Sequence, residues 1–431
     1  MNYTQNKKIM QVKETTLVVG VDIAKHTHVA RAQNYRGIQY GIPISFANTD
    51  GGFKQFIDWL NAMKEQYNKT NVMVGMEPTG HYWLALEQYL RGLDSVKLVL
   101  VNPAHVKKSK TLDDNSPTKN DKKDARVIAQ LVKDGRYSEP HMPEGIYAEM
   151  RSAMTHREKL TRDKISLNNK IQQWLDKYFP EFTEVFANWE GKAALAVLKE
   201  VPLPSQIKQL SPEKIVEVFK KGAKRAVGIK RAKHLKKKAL NSIGIKDGLK
   251  MASIELKNLL QQYELITAQI ESLEEDIEKI LKEIPGAKEM QSIKGVGAMT
   301  VAGFIAEVGD VRDYDHPRQI QKLAGLNLME NSSGKHKGQT RISKRGRPRL
   351  RSLLYRVAFP LVAKNEEFKQ LHHYYTNRHD NALKKKQSLI ALTCKLIRVL
   401  FALGKKQVNY DGEKLMKDIK RNQDLNIQEA A

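Results

Sequence analysis

A chain of 431 residues with 74 Lys plus Arg against 48 Asp plus Glu, a formal net charge of +26, has room for two or three domains and points to a polyanionic partner. Its single cysteine, Cys394, excludes an intrachain disulfide and a multi-cysteine zinc site, so any metal must be held by oxygen or histidine. Residues 1–16 are polar and lysine-bearing, which excludes a secretory signal; residues 389–403 are apolar but too short and too charged to span a bilayer, so no membrane partner is expected and the location expected is the cytoplasm.

The first apolar run, Leu17-Val18-Val19-Gly20-Val21-Asp22, is β-branched and ends in a carboxylate, the pattern of a buried strand. Residues 28–33 and 38–47 alternate around Tyr35-Arg36-Gly37 and predict two antiparallel strands. Thr49-Asp50-Gly51-Gly52 then opens a helix whose apolar positions, Phe53, Phe56, Ile57, Leu60 and Met63, fall at three- and four-residue spacing. A second strand, Val72-Met73-Val74-Gly75-Met76-Glu77, also ends in an acid. Pro78-Thr79-Gly80 turns the chain into a helix through Trp83, Leu86 and Leu90, and residues 96–101 form a further strand. Three strands, helix, strand, helix, strand, helix is the order of a ribonuclease-H-like domain, an α/β fold with helices on the faces of a mixed sheet. The last of those helices begins at Asp121 and carries Asp124 three residues on, so both acids share one face.

Beyond this region the pattern is helical. Residues 147–178 and 254–284 read as long helices, and Leu259, Tyr263, Ile266, Ile270, Leu273, Ile277 and Ile280 form a stripe suited to an antiparallel hairpin or coiled coil. Between them, residues 220–238 hold ten basic side chains and no acid, which favours phosphate contact over a merely solvated helix face. Ile293-Lys294-Gly295-Val296-Gly297 leads into an apolar helix, as in a helix-hairpin-helix element whose glycine turn exposes backbone N–H groups to phosphates. A plain glycine turn between packed helices explains the same residues. From Lys335 to Arg356 there are nine Lys or Arg and no acid, including Lys337, Arg341, Lys344, Arg345 and Arg347. Lys294, Gly295, Gly297 and these basic residues, Lys335 among them, are the candidate nucleic-acid contacts.

Asp22 and Glu77 at strand ends, with Asp121 and Asp124 on one helix face, form the candidate site. Hard divalent ions such as Mg²⁺ take oxygen ligands, and a two-metal phosphodiester site needs several carboxylates to offset its charge. Taken singly, Glu77 is explained as an acid answered by a lysine and the aspartates as helix caps. Their joint occurrence in this fold order and in so basic a chain favours metal ligation. His26, His28, His81 and His105 receive no role. Ser332 and Ser333 stand before Gly334 in a basic, polar loop, where flexible turn chemistry accounts for them.

Val19-Gly20-Val21-Asp22-Ile23-Ala24-Lys25, Met76-Glu77-Pro78-Thr79-Gly80 and Asn120-Asp121-Lys122-Lys123-Asp124-Ala125 resemble the three acidic blocks of the DEDD insertion-sequence transposases, the insertion-sequence 110 family. Ile293-Lys294-Gly295-Val296-Gly297, Leu323-Ala324-Gly325-Leu326-Asn327, Ser333-Gly334 and Ile342-Ser343-Lys344-Arg345-Gly346 resemble that family's C-terminal domain. Where the family often has proline after the Ala-Gly-Leu-Asn run, this chain has Leu328.

The resemblance implies a RuvC-like N-terminal domain whose four acids bind Mg²⁺, and a separate domain supplying a serine nucleophile, Ser333 by its place before the glycine, with Ser332 the neighbouring alternative. It also implies a DNA recombinase that passes through a phosphoserine link, guided by a noncoding bridge RNA that pairs with donor and target DNA. The expected domains are a RuvC-like one over 17–145, a helical spacer with coiled coil over 146–284 and a mostly α transposase domain over 285–407. Residues 1–16 are expected to be disordered and 408–431 flexible, and the coiled-coil stripe suggests a homo-oligomer, dimer or tetramer. The competing readings are a RuvC-type junction nuclease using water and a non-catalytic nucleic-acid scaffold.

Overall fold

The apolar run at Leu17 forms the central strand β1 (Thr16–Asp22) of a six-stranded sheet. In this computed structural model the chain divides into two compact units, Met1–Met142 and Pro143–Ala431, and the structure describes residues 2–113, 121–140, 142–223, 225, 228–329, 332–333, 336–338 and 340–416. In the first unit β1 is followed by β2 (Thr27–Gln33), β3 (Gln39–Ala47), β4 (Asn71–Met76), β5 (Val96–Val101) and β6 (Tyr137–Ser138), in the spatial order β3-β2-β1-β4-β5-β6. The β1/β4 and β4/β5 pairs are parallel and the others antiparallel. The expected three strands, helix, strand, helix and strand are all present.

Strand alternation divides the apolar residues between two faces. Leu17, Val19, Val21, Val72, Val74 and Met76 share one core with residues of α2 (Asp50–Gln66) and α3 (Trp83–Arg91), which follow α1 (Asn2–Ile9) in the chain. Thr49 caps α2, its Oγ1 accepting the Gly52 N–H at 3.2 Å. Val18, Met73, Val99 and Val101 face the other way, into a core completed by α5 (Asp121–Lys133), which is preceded by α4 (Pro103–Asp113).

Helix α1 lies within the segment expected to lack structure. Lys8 Nζ donates to the Tyr137 carbonyl, Gln5 Nε2 to the Asp134 carbonyl at 3.0 Å, and Tyr137 Oη to Gln11 Oε1 at 2.8 Å. These are polar, long-range contacts to the end of α5 and to β6, and a polar segment gives no apolar signal of them.

The second unit is built on two long helices, α6 (Gly145–Tyr178) and, after a helical insertion, α12 (Leu249–Glu283), each about 50 Å long by helical rise. Arg157 bonds Glu274, Lys164 sits over the Tyr263 ring and Trp174 Nε1 donates to the Ala252 carbonyl at 2.8 Å, so the two run antiparallel. Ile277, Tyr263 and Leu259 of the apolar stripe are buried within this chain. The stripe's partner is therefore α6, and it supplies no argument for a second copy. The insertion comprises α7 (Phe182–Val185), α8 (Lys192–Glu200), α9 (Pro204–Gln209), α10 (Pro212–Gly222) and α11 (Ile229–Leu240), packed with one end of the helix pair around Trp174, Phe179, Phe182 and Phe219.

At the other end of the pair a second core gathers α13 (Ala287–Gln291), α14 (Ala298–Val308), α15 (Pro317–Leu323), α16 (Pro348–Lys364), α17 (Glu366–Asn377) and α18 (Lys385–Lys406). Helix α18 extends beyond the apolar stretch seen in the sequence; at 22 residues it is long and apolar enough to cross a membrane. Leu389, Leu392, Leu396, Ile397, Leu400 and Leu403 are nonetheless buried in this core. The segment after Val408 is not all loose: Tyr410 N donates to Ser292 Oγ at 2.8 Å and Leu415 is buried.

Candidate active site

Parallel pairing places two acids side by side. Val21 is the register partner of Met76, so Asp22 and Glu77, the next residue of each strand, leave the same edge of the sheet. Both are half-buried. Thr79 Oγ1 donates to Glu77 Oε1 at 2.7 Å and Thr79 N to the Glu77 carbonyl at 2.8 Å, so the turn after β4 holds the carboxylate in place.

Helix α5 brings the third. Gly20 and Gly75 lie two residues before the acids, and a Cβ on Gly20 would stand 2.1 Å from the Ala125 carbonyl oxygen, so the helix backbone rests directly on the strand. The far end of α5, at Lys133, adjoins Gly37 in the β2–β3 turn, beyond the start of β1. Its first turns therefore lie toward the edge that carries Asp22 and Glu77. Asp124 is buried there at 7 % exposure. Asp121 is the first residue of α5, and its side chain lies outside the described residues.

Lys110 of α4 meets Asp124, Nζ to Oδ2 at 2.5 Å. An ammonium thus occupies one carboxylate of the candidate site. Among the described residues no group of three acid, histidine or cysteine side chains is close enough to hold an ion. The donor set is all-oxygen and already attracts a cation, which suits a hard divalent ion in kind. The Lys110–Asp124 pairing depends on how α4 returns to α5 and not on any spacing in the sequence.

Two further cations lie near this face of the sheet. Arg31, the register partner of Gly20, has its pKa lowered by burial and by repulsion from Arg126 of α5. His28 is a packing residue: its ring is 5.3 Å from that of Phe46, and burial holds its pKa below the ordinary value against a smaller pull from Asn48. It is in contact with none of the four acids in any described bond.

In the second unit the polar loop of the sequence reading is a ribbon. Strand β7 (Leu328–Met329) pairs antiparallel with β10 (Arg341–Ile342), and β8 (Ser332–Ser333) with β9 (His336–Lys337). The nested registers put Ser332 and Ser333 at the end farther from α15 and α16. Their backbone is in β8 while their side chains lie outside the described residues, as do the Lys337 side chain and all of Lys335.

The ribbon's base is locked by glycines. Gly325 has φ +69°, and its missing Cβ would lie 2.8 Å from Arg351 Nη1 and 2.9 Å from the Lys344 carbonyl carbon; a Cβ on Gly346 would lie 2.4 Å from the Leu323 carbonyl oxygen. Lys344 N donates to the Gly325 carbonyl at 2.9 Å and Arg347 N to that of Leu323 at 2.7 Å. The two blocks, Leu323 to Asn327 and Ser343 to Arg347, are therefore one interlocked unit.

The candidate phosphate contacts fall into different settings. Lys294, Arg341, Lys344 and Arg345 are exposed. Gly295 has φ +99° and turns the chain between α13 and α14; Gly297 precedes α14 with nothing within 4 Å of where its Cβ would be. Arg347 is turned inward, its guanidinium donating to the Glu307 carbonyl.

A DEDD-type IS110 transposase family model matches residues 19–180, and a model for the transposase IS116/IS110/IS902 family matches residues 287–373. Among curated relatives, the uncharacterized 44.8 kDa protein of insertion element IS116 from Streptomyces clavuligerus is 24 % identical over 286 residues, 66 % of this chain and 71 % of its own length. The transposase for insertion sequence element IS1111A from Coxiella burnetii is 36 % identical over 89 residues, 21 % of this chain and 24 % of its own. That for IS1328 from Yersinia enterocolitica is 31 % identical over 103 residues, 24 % of this chain and 31 % of its own. With both family models matched in order, one on the acidic blocks and one on the ribbon and its glycine lock, the chain belongs to the IS110 family of insertion-sequence transposases.

Proposed function

We propose that this transposase is a DNA recombinase that cuts and rejoins strands through a phosphoserine intermediate on Ser333, in a Mg²⁺-dependent reaction whose ion is held by Asp22, Glu77, Asp121 and Asp124 of a RuvC-like domain. The observation that carries the reading is the β1/β4 register, which sets Asp22 and Glu77 on one edge beside the helix bearing Asp124. The strand order β3-β2-β1-β4-β5 supports the RuvC-like assignment.

Ser333 Oγ attacks the phosphorus of a DNA phosphodiester, losing its proton. The bond to the 3′ oxygen breaks, leaving a free 3′-hydroxyl and a 5′ phosphate esterified to serine. Reversal by another 3′-hydroxyl reseals a strand with the bond energy retained. Bound Mg²⁺ would offset the phosphodiester's charge. Thr79 keeps Glu77 oriented, and Lys110 neutralises the buried Asp124.

Reading of donor and target DNA falls, in this proposal, to a noncoding bridge RNA, and the exposed Lys294, Arg341, Lys344 and Arg345 engage backbones rather than bases. The net charge of +26 supports such a partner. A dimer or tetramer, no longer motivated by the α12 stripe, rests on the long sequence separation between the acids and the serine, which two copies could bring together.

The test is trapping of a protein–DNA adduct. A denaturation-resistant adduct that Ser333→Ala abolishes and Ser332→Ala retains supports the proposal. Mg²⁺-dependent cleavage without an adduct would favour the water-using nuclease. Undiminished recombination by Asp22→Asn would favour the scaffold reading.

A further inference from the structure

Between α6, α14 and α16 lies a cavity of about 600 Å³, lined by none of the four acids, by neither serine and by none of Lys294, Arg341, Lys344 and Arg345. Its lining is two-natured. Met154, Met299 and Leu353 are half-buried and apolar, and Gly303 leaves the room in which they meet: a Cβ there would lie 2.9 Å from Leu353 Cδ2 and 3.4 Å from Met154 Cε. Arg162, Arg349 and Arg356 are exposed around them.

The charge there is not balanced. Five arginines stand against two glutamates, an excess of three positive charges. Arg151 and Arg157 are committed to the fold, donating to the Ala306 carbonyl at 2.9 Å and to Glu274 at 2.7 Å. Glu158 is shared by Arg162 and Arg349, with Arg349 Nε 2.7 Å from its Oε2. The Arg356 side chain has neither a hydrogen bond nor an ion pair among the described residues. A recess with an apolar wall and surplus guanidinium groups suits a ligand with one flat apolar part and one anionic part.

We propose that this cavity holds a single unpaired nucleotide of the nucleic acid the protein handles, its base against Met154, Met299 and Leu353 and its phosphate on Arg356 and Arg349. The size fits: pockets for ligands of this class span roughly 300–1,000 Å³. A duplex cannot enter such a recess, whereas an unstacked base can be splayed into it, with apolar side chains and guanidinium planes replacing its lost stacking. The proposal rests on the nucleic-acid reading above and adds that one nucleotide is read outside any base pair, by residues that include neither the acids nor the serine.

The experiment compares binding of fluorescent single-stranded oligothymidylate, oligouridylate and a duplex of equal length to the full chain, with free thymidine monophosphate as competitor. Arg356→Ala is expected to weaken single-strand binding by about tenfold while leaving duplex binding unchanged. Thr300→Trp, which fills the cavity without altering charge, should do the same. A stronger effect on one of the two single strands assigns the nucleotide to DNA or RNA, and strong competition by the monophosphate assigns the site to a free nucleotide, overturning the proposal. Equal losses for duplex and single strand, or no loss in either variant, would also overturn it. If the unaltered protein binds no nucleic acid, the broader reading fails as well.

Discussion

Gly20 of β1 and Gly75 of β4 are register partners on adjacent parallel strands, each two residues ahead of an acid. A Cβ on Gly20 would lie 2.1 Å from the Ala125 carbonyl oxygen, and one on Gly75 2.3 Å from a Val132 methyl. The depth at which α5 sits on the sheet, and so the reach of Asp124 toward Asp22 and Glu77, depends on these two missing side chains.

Gly20→Ala meets backbone that has nowhere to go, so α5 must lift. Expected are a stability loss of about 1–3 kcal/mol in urea denaturation and a fall in DNA cleavage of roughly 100-fold from misplaced ligands. Gly51→Ala, in α2 with nothing within 4 Å, is the control and should leave cleavage unchanged and not lower stability. Cleavage unchanged in Gly20→Ala would show that α5 does not set the site.

His28 makes stability pH-dependent. Its Nδ1 accepts the Ala24 N–H at 3.2 Å, and burial keeps its pKa below the ordinary 6.5. The unfolded chain takes up a proton near that value and the folded chain does not. Stability is therefore full above it, falls as pH drops below it, and levels off below the folded pKa. Melting temperatures from about pH 7 to about pH 5 should decline less in His28→Phe than in the unaltered protein; parallel declines would assign the slope to other groups.

Lys110→Ala leaves the buried Asp124 carboxylate without its ammonium. In metal-free buffer this should cost about 1–2 kcal/mol, reduced from a fully buried pair because Lys110 is partly exposed. Mg²⁺ should then raise the melting temperature of the variant more than that of the unaltered protein. A smaller Mg²⁺ response in the variant would mean that Lys110 does not compete with the ion.

Gly325→Ala places a side chain at φ +69° and against Arg351 and Lys344. The lock at the base of the ribbon should open, so trypsin cuts after Lys337 or Arg341 faster than in the unaltered protein, with the first unit still resistant. Strand transfer should be lost while binding to duplex DNA persists. Unchanged proteolysis would place the anchor of the ribbon elsewhere.

The sheet was legible because its strands alternate or run apolar between clear turns, and an acid closing such a run is visible in the letters. Lys110 and Asp124 were each visible and their pairing was not, because it is set by the path from α4 to α5 rather than by spacing. The ribbon passed as a loop because two-residue strands of Ser, His and Lys carry no alternation. The stripe on α12 is visible in the letters, but its partner lies about a hundred residues earlier, on α6, where half-exposed charged positions mask the matching face. Helix α1 escaped notice because polar bonds to carbonyls hold it.

The insertion between α6 and α12 leaves and returns at one place: Ile245 N donates to the Lys177 carbonyl at 2.9 Å, and Gly244 is pressed against Tyr178. The insertion is therefore a closed side-branch on the helix pair: whatever its length, it returns the chain to the same neck beside Trp174, Phe179 and Phe182, so the antiparallel pairing of α6 with α12 that carries the C-terminal core does not depend on how many residues lie between them.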